Sequence, residues 1–354
     1  MSKVQTPDFS LFYEKTNITA DIEPSLLELT YTDYLEGQSD ELSISFEDIS
    51  GKWICQWFPT QGDKLKAAIG YKGEPLVQIG AFEIDEVEYQ YRPSCITLRA
   101  LSTGVSKSNR TLKPKAYENT TLAQVVAAVA NRLKLKLVGK IRHIPIQRIT
   151  QYQERDVEFL ARLAREYHHS FKIVGNQLVF TDKDELGQSQ PVVVLDESEC
   201  ISLRLRDRIK DTAKQVEIKG FDTSGKKVLK KSKKATALRP KMQQAQAASG
   251  DTLKITTRGE SQEQIDARGD AALSEQNEDQ SAGDITLIGN PKLVAGSTIW
   301  LKNLGVFSGK YLIKQSRHSI SRTQGYITNI EVRMLEFIPD DLLTLGMEMT
   351  NANT

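Results

Sequence analysis

Between residues 18 and 100 apolar and polar side chains alternate with a period of two, the pattern of strands with one face in a core and the other in water. Leu42, Ile44 and Phe46 are predicted to face inward, with Ser43, Ser45 and Glu47 outward. Val77, Ile79 and Ala81 continue the same inward alternation, and so do Ile96, Leu98 and Ala100. Glu36-Gly37, Gln61-Gly62 and Lys72-Gly73 separate these runs at short intervals, so residues 1–110 read as an antiparallel barrel or sandwich.

Near residue 110 the period changes. Thr121 followed by Gln124 is a capping-box pattern, and Leu122, Val125, Val126, Val129 and Leu133 then form one helical stripe. A second helix is predicted over 155–168, with Val157, Leu160, Ala161 and Ala164 on its apolar face. Phe171 and Ile173 are joined to Leu178 and Phe180 through Gly175-Asn176, a short hairpin. Residues 111–190 therefore read as a small α+β domain.

Strands return at 192–195, 201–205 and 216–218, and again at 285–288, 298–301, 311–315 and 327–334. Between these groups lie a Lys-, Gln- and Ala-rich stretch and a helix over 262–278, capped by Ser261 with Gln264 and carrying a thin stripe of Ile265, Ala272 and Gln276. Residues 191–340 are thus a second β-barrel domain interrupted by an insertion at 225–280, and 341–354 are a flexible tail. The predicted class is α+β and β-rich: two antiparallel β-barrel domains, a small α+β domain between them, and a helical insertion in the second barrel.

A length of 354 residues suits two or three domains, and 39% hydrophobic with 26% charged residues is the balance of a globular chain. The 47 basic and 46 acidic residues leave a net charge of +1, so no global field draws nucleic acid or a membrane surface. Cys55, Cys95 and Cys200 lack paired spacing, which predicts neither disulfides nor zinc and suits a reducing compartment. The polar start MSKVQTPDFSLFYEK has no apolar core of a secretory signal, and residues 123–130 are too short to span a bilayer. A soluble, non-membrane protein is expected.

Motifs for catalysis are missing: no G-x-S-x-G, phosphate-binding loop, G-x-G-x-x-G or H-E-x-x-H occurs. His143, His168, His169 and His318 stand apart from any metal-ligand spacing, and His168 and His169 end a helix where a cation would meet the dipole favourably. Glu83, Asp85, Glu86 and Glu88 crowd one strand, which predicts a charged outer face before a pair of hydrolytic carboxylates. No cofactor is expected. The run GKKVLKKSKKATALRPK at 225–241 holds eight basic residues, among them Lys226, Lys227, Lys230, Lys231, Lys233 and Lys234. It reads as a solvated loop, as a docking loop for an acidic partner, or as a phosphate binder, and without interleaved aromatics it predicts no specific nucleic-acid recognition. Trp53 and Trp57, in WICQWF, are either core or an exposed contact.

The segment YTDYLEGQSDELSISFED at 31–48, followed by Gly51, Lys52 and Trp53, resembles the signature of the phage late control gene D family, the hub proteins of contractile-tail baseplates. Its matching positions are Asp33, Gly37, Asp40, Leu42, Asp48, Gly51 and Trp53. ERDVEFLARLAREY at 154–167 is similar to a helix of that family's middle domain. GNPKLVAGSTIWL at 289–301, with Gly289, Pro291 and Gly296, followed by Gly309-Lys310-Tyr311, His318 and Gly325-Tyr326, is similar to its terminal hairpins. The resemblance implies a homotrimer whose two barrels per chain make a pseudo-sixfold ring, joining a threefold spike to a sixfold tail tube. It also implies a separate trimeric spike protein, a tube or tube-initiator protein and other baseplate subunits as partners, with assembly in the host bacterial cytoplasm. A cell-wall-degrading enzyme and a nucleic-acid binder acting through 226–241 are the alternatives.

Overall fold

In the computed structural model of the chain, which describes residues 5–102, 114–208, 210, 212–222, 227–236, 251–258 and 261–340, the early alternation becomes a curled sheet. The tail at 341–354 and Lys226 lie outside the described residues. The first half comprises β1 (Pro7–Tyr13), β2 (Thr16–Asn17), the short α1 (Thr19–Ile22), β3 (Leu26–Tyr34), β4 (Glu41–Glu47), β5 (Lys64–Tyr71), β6 (Val77–Gln90) and β7 (Cys95–Leu101). Leu42, Ile44, Phe46, Ile96, Leu98 and Ala100 enter one core with Leu11, Leu29, Leu65 and Phe82. The inward reading of Val77, Ile79 and Ala81 is corrected: Val77 and Ala81 are exposed and Ile79 half-buried, while Phe82 and Ile84 are buried. Ala67 faces Gly80 while the next residue, Ala68, faces Gln78, so a bulge at Ile79 flips the parity of β6.

The middle part comprises β8 (Lys115–Thr121), α2 (Leu122–Leu133), β9 (Lys136–Val138), β10 (Pro145–Gln151), α3 (Asp156–Glu166), β11 (His169–Val174), β12 (Gln177–Asp182) and α4 (Lys183–Gly187). Thr121 and Gln124 close the capping box of α2, whose stripe of Leu122, Val125, Val126, Val129 and Leu133 is buried. On α3 the buried face is Phe159, Leu160, Leu163 and Ala164; Val157 and Ala161, expected there, lie at its margin and are half-buried. Both helices pack on small sheets, β10–β8 and β11–β12–β9, around a core of their own.

The remaining strands are β13 (Val193–Leu195), β14 (Cys200–Asp207), then β15 (Gln215–Asp222), β16 (Lys227–Lys234), β17 (Thr252–Arg258), the helix α5 (Gln262–Asn277), and β18 (Ser281–Ile288), β19 (Thr298–Leu301), β20 (Gly309–Ser321) and β21 (Gly325–Phe337). β13, β14 and β18–β21 enclose a third core that includes Ile285, Ile299, Tyr311, Ile313, Ile330 and Val332. β20 pairs with β3 from Gln315 opposite Tyr34 to Ser321 opposite Glu28, so a single 13-stranded sheet runs through both β-rich halves. Ile320 and Tyr326 cross this seam to pack in the first core.

The insertion is larger than a loop and a helix. The strand at 216–218, counted with the second barrel, belongs instead to a separate sheet ordered β16–β15–β17. The basic run is not a solvated loop over 227–234 but the edge strand β16, held by full antiparallel pairing to β15. On α5 the buried positions are Gln264, Ile265, Gly269, Ala271 and Leu273, whereas Ala272 is half-buried and Gln276 exposed. Ile265, Gly269 and Leu273 recur every four residues, and the missing side chain of Gly269 lets α5 approach Ile218 and Val216 on β15. Among the described residues no helix is long and apolar enough to cross a membrane.

Candidate functional site

Charged side chains are driven out of a core unless they are paired, so buried ions mark places where separate parts of a chain must meet. Asp33 is the penultimate residue of β3 and Asp40 precedes β4; both are about 4% exposed. Between them Gly37 sits at φ 81°, a left-handed position that closes the turn. Lys172 of β11 reaches in from the middle domain, its Nζ 2.7 Å from Asp33 Oδ1, 3.4 Å from both oxygens of Asp40 and 3.1 Å from the Tyr34 carbonyl. Asp33 Oδ2 accepts the Ala295 N–H at 2.9 Å, from the loop before β19. One buried carboxylate therefore binds all three cores together. Burial lifts the Asp40 carboxyl to about 6 against the pull of Lys172. Burial also depresses the Lys172 ammonium, but the two carboxylates outweigh it and the net shift is upward.

A second junction lies at Lys183 of α4, whose side chain is 1% exposed. Its Nζ donates to Glu36 at 2.6 Å, to Glu278 at 3.2 Å and to Glu275 at 3.4 Å. Glu278, just past α5, also pairs with Arg333 of β21, and neighbouring Asp279 takes Lys314 at 2.7 Å. Burial opposes ionisation of Glu278, yet Arg333 and Lys183 carry its pKa below the ordinary glutamate range. A cavity of about 420 Å³ adjoins this junction, lined among others by His168, Asp184, Lys310 and Arg333. Neither Lys172 nor Lys183 was singled out from the sequence: isolated lysines on short strands and helices look solvated, and their partners are up to 147 residues away.

The signature residues serve this framework. Asp48 Oδ2 accepts the N–H groups of Trp53 at 3.1 Å and Ile54 at 3.2 Å, folding the loop that contains Gly51. Gly289 donates its N–H to the Tyr326 carbonyl and accepts the Tyr71 hydroxyl at 2.7 Å, with the Tyr326 ring lying where a Cβ would be. Pro291 follows in the same loop, half-buried, and Gly296 donates to the Ile313 carbonyl at 2.9 Å. His318 stacks on Tyr31 at 5.9 Å, its Nε2–H meets the Leu293 carbonyl at 3.1 Å, and its Nδ1 lies 2.9 Å from the Tyr326 hydroxyl. Burial lowers its pKa to about 4, so the ring is neutral.

The other candidate residues separate. Trp53 is buried edge-on against Phe46, which removes it as a surface contact, whereas Trp57 is 44% exposed beneath the Lys52 ammonium. Ile49, Ile54 and Phe58 are exposed in the same loop. Lys231 and Lys233 turn toward α5 and pair with Asp270 at 2.9 and 3.1 Å, while Lys230 and Lys234 are exposed on the opposite face and Lys227 is exposed at the start of β16. Glu86 and Glu88 lie exposed beside Arg99, at 2.9 and 3.5 Å. The cationic reading of His169 is corrected: it is fully buried, and burial lowers its pKa to about 4. His168 lies 3.3 Å from Asp184. Among the described residues no group of three or more His, Cys, Asp or Glu could hold a metal ion.

A model of the phage tail baseplate hub family matches residues 36–324, a span that contains both ionic junctions apart from Asp33, Tyr34 and Arg333. The chain belongs to that family. Within the hub family it is 33% identical over 177 residues to the probable baseplate hub protein of Escherichia phage P2, and 30% identical over 176 residues to that of Escherichia phage 186. These stretches are 49% of this chain and 45% and 44% of the relatives, so the match spans less than half of their length. The fold is shared more widely. A tail protein from Neisseria meningitidis superposes with a TM-score of 0.67 at 11% identity, covering 93% of this chain and 97% of that one. The 43 kDa tail protein of prophage MuSo2 from Shewanella oneidensis gives 0.64 at 16% identity, covering 94% and 98%. The E. coli c3393 protein, a type VI secretion component, gives 0.54 at 13% identity, covering 87% and 73%.

Proposed function

We propose that this chain is the structural hub of a contractile phage tail or tail-like particle, a homotrimer that joins a separate trimeric spike to the tail tube. Membership of the baseplate hub family carries the reading. The fold supplies a mechanism for it. Two β-rich halves with separate cores hang on one sheet, and the ionic junctions at Lys172 and Lys183 fix the angle between them. Three such chains present six β-rich units to a sixfold tube and three repeats to a threefold spike.

The edges of the sheet suit ring closure. β14 ends the sheet, with Ile201 59% exposed, and an unpaired edge is a template for a neighbouring chain. Trp57 and its exposed neighbours are a second contact, for the tube, the tube initiator or another baseplate subunit. The protein acts without catalysis in this reading, after assembly in the host bacterial cytoplasm. Peptidoglycan turnover by the purified protein that disappears in Glu83→Gln/Glu86→Gln would replace it with the wall-hydrolase alternative. The direct test is co-purification with the cognate spike: a complex of three hubs on three spike chains is expected, and a hub that ignores spike and tube protein alike would overturn the proposal.

A further inference from the structure

The three-stranded sheet of the insertion has one face under α5 and one face in water. Alternation puts Lys219 of β15, Lys230 and Lys234 of β16 and Lys254 of β17 on the outer face, all exposed. The only carboxylate there among the described residues is Glu217, opposite Lys254. Lys219 and Lys230 are direct cross-strand partners, an arrangement of like charges that weakens an isolated sheet. The chain retains it although acidic residues are as plentiful as basic ones, 46 against 47.

The same face carries the aromatic that the linear basic run lacks. Phe221, 44% exposed, sits opposite Val228, 60% exposed, two positions along the strand from Lys219. Lys230 and Lys234 lie about 13 Å apart along β16. A file of cations beside an exposed ring fits a polymer that carries one charge per unit and a flat π-face on each unit. An acidic protein surface would use the cations but has no need of the ring, and a duplex keeps its bases stacked away from it.

We infer that this sheet face binds single-stranded nucleic acid without sequence preference, its lysines on phosphates and Phe221 under a base. The inference does not rest on the hub reading and stands or falls separately from the trimer. The test is fluorescence anisotropy of the full chain with a labelled 20-nucleotide oligo-dT, a duplex of equal length and poly-glutamate, over a salt series. The combined variant Lys219→Ala/Lys230→Ala/Lys234→Ala/Lys254→Ala should lower oligo-dT affinity at least tenfold and flatten the log affinity against log salt slope by about 3. Phe221→Ala should weaken oligo-dT binding about fivefold or more and leave the duplex within about twofold. Unchanged melting temperatures of the variants would establish that they fold. Absence of oligo-dT binding at low salt, binding that survives the four-lysine variant, or tighter binding of poly-glutamate or of duplex would each overturn the inference, the last two in favour of an acidic protein or a double helix.

Discussion

Lys172 is held by two carboxylates from another domain, and neither carboxylate has another cation within reach in the described ion pairs. Lys172→Met therefore leaves two buried carboxyl groups without their cation, and should cost about 3–5 kcal/mol in urea unfolding. A loss below about 1 kcal/mol would show that the junction is wet and weak. The acid limb of stability has two opposed origins. His169 and His318 fall from 6.5 to about 4 on folding, so the stability from their neutral forms is present above pH 6.5 and is lost toward pH 4, on the order of 3 kcal/mol each. Asp40, raised from 3.8 to about 6, works the other way: its contribution is full below pH 4 and is lost as pH rises through 6. Unfolding free energies measured from pH 7 to 4 should fall, less steeply in His318→Gln and more steeply in Asp40→Asn. Parallel profiles for all three proteins would remove these residues as the cause.

At the scale of elements, what was legible in the sequence was local. Thr121 and Gln124 are three residues apart and announce α2, so Thr121→Ala should cost about 1 kcal/mol by thermal or chemical unfolding. Ser261 and Gln264 announce α5 in the same way. The parity of β6 was not legible, because a bulge depends on how β5 lies beside it. β16 was hidden too: Lys231 and Lys233 look solvated in a list of lysines, and become sheet residues only when Asp270 on α5 is across from them. The signature Asp33, Asp40 and Gly289 could be picked out by resemblance, but their purpose is in partners that lie 139, 132 and 218 residues away. Gly289→Ala should push the Tyr326 ring off its place against Tyr71 and cost about 1–3 kcal/mol, with the Tyr326 hydroxyl leaving His318. A crystal structure of that variant with Tyr326 unmoved would refute the close-approach explanation.

For the whole molecule, the two β-rich halves become one object because β20 and β3 pair and the ionic junctions lock the remaining parts onto that sheet. A rigid subunit with an open edge can close a ring without a folding step at assembly. Ile201→Lys on β14 should leave the melting temperature unchanged within about 2 °C and raise the concentration needed for oligomerisation at least tenfold, as read by sedimentation velocity. Oligomers indifferent to that charge would move the contact elsewhere. The central claim is the hub itself, and multi-angle light scattering on the purified protein, alone and mixed with its cognate spike, tests it most directly. A mass of three chains, alone or upon adding spike, is the predicted result; a single-chain mass at high concentration that spike does not change would contradict it.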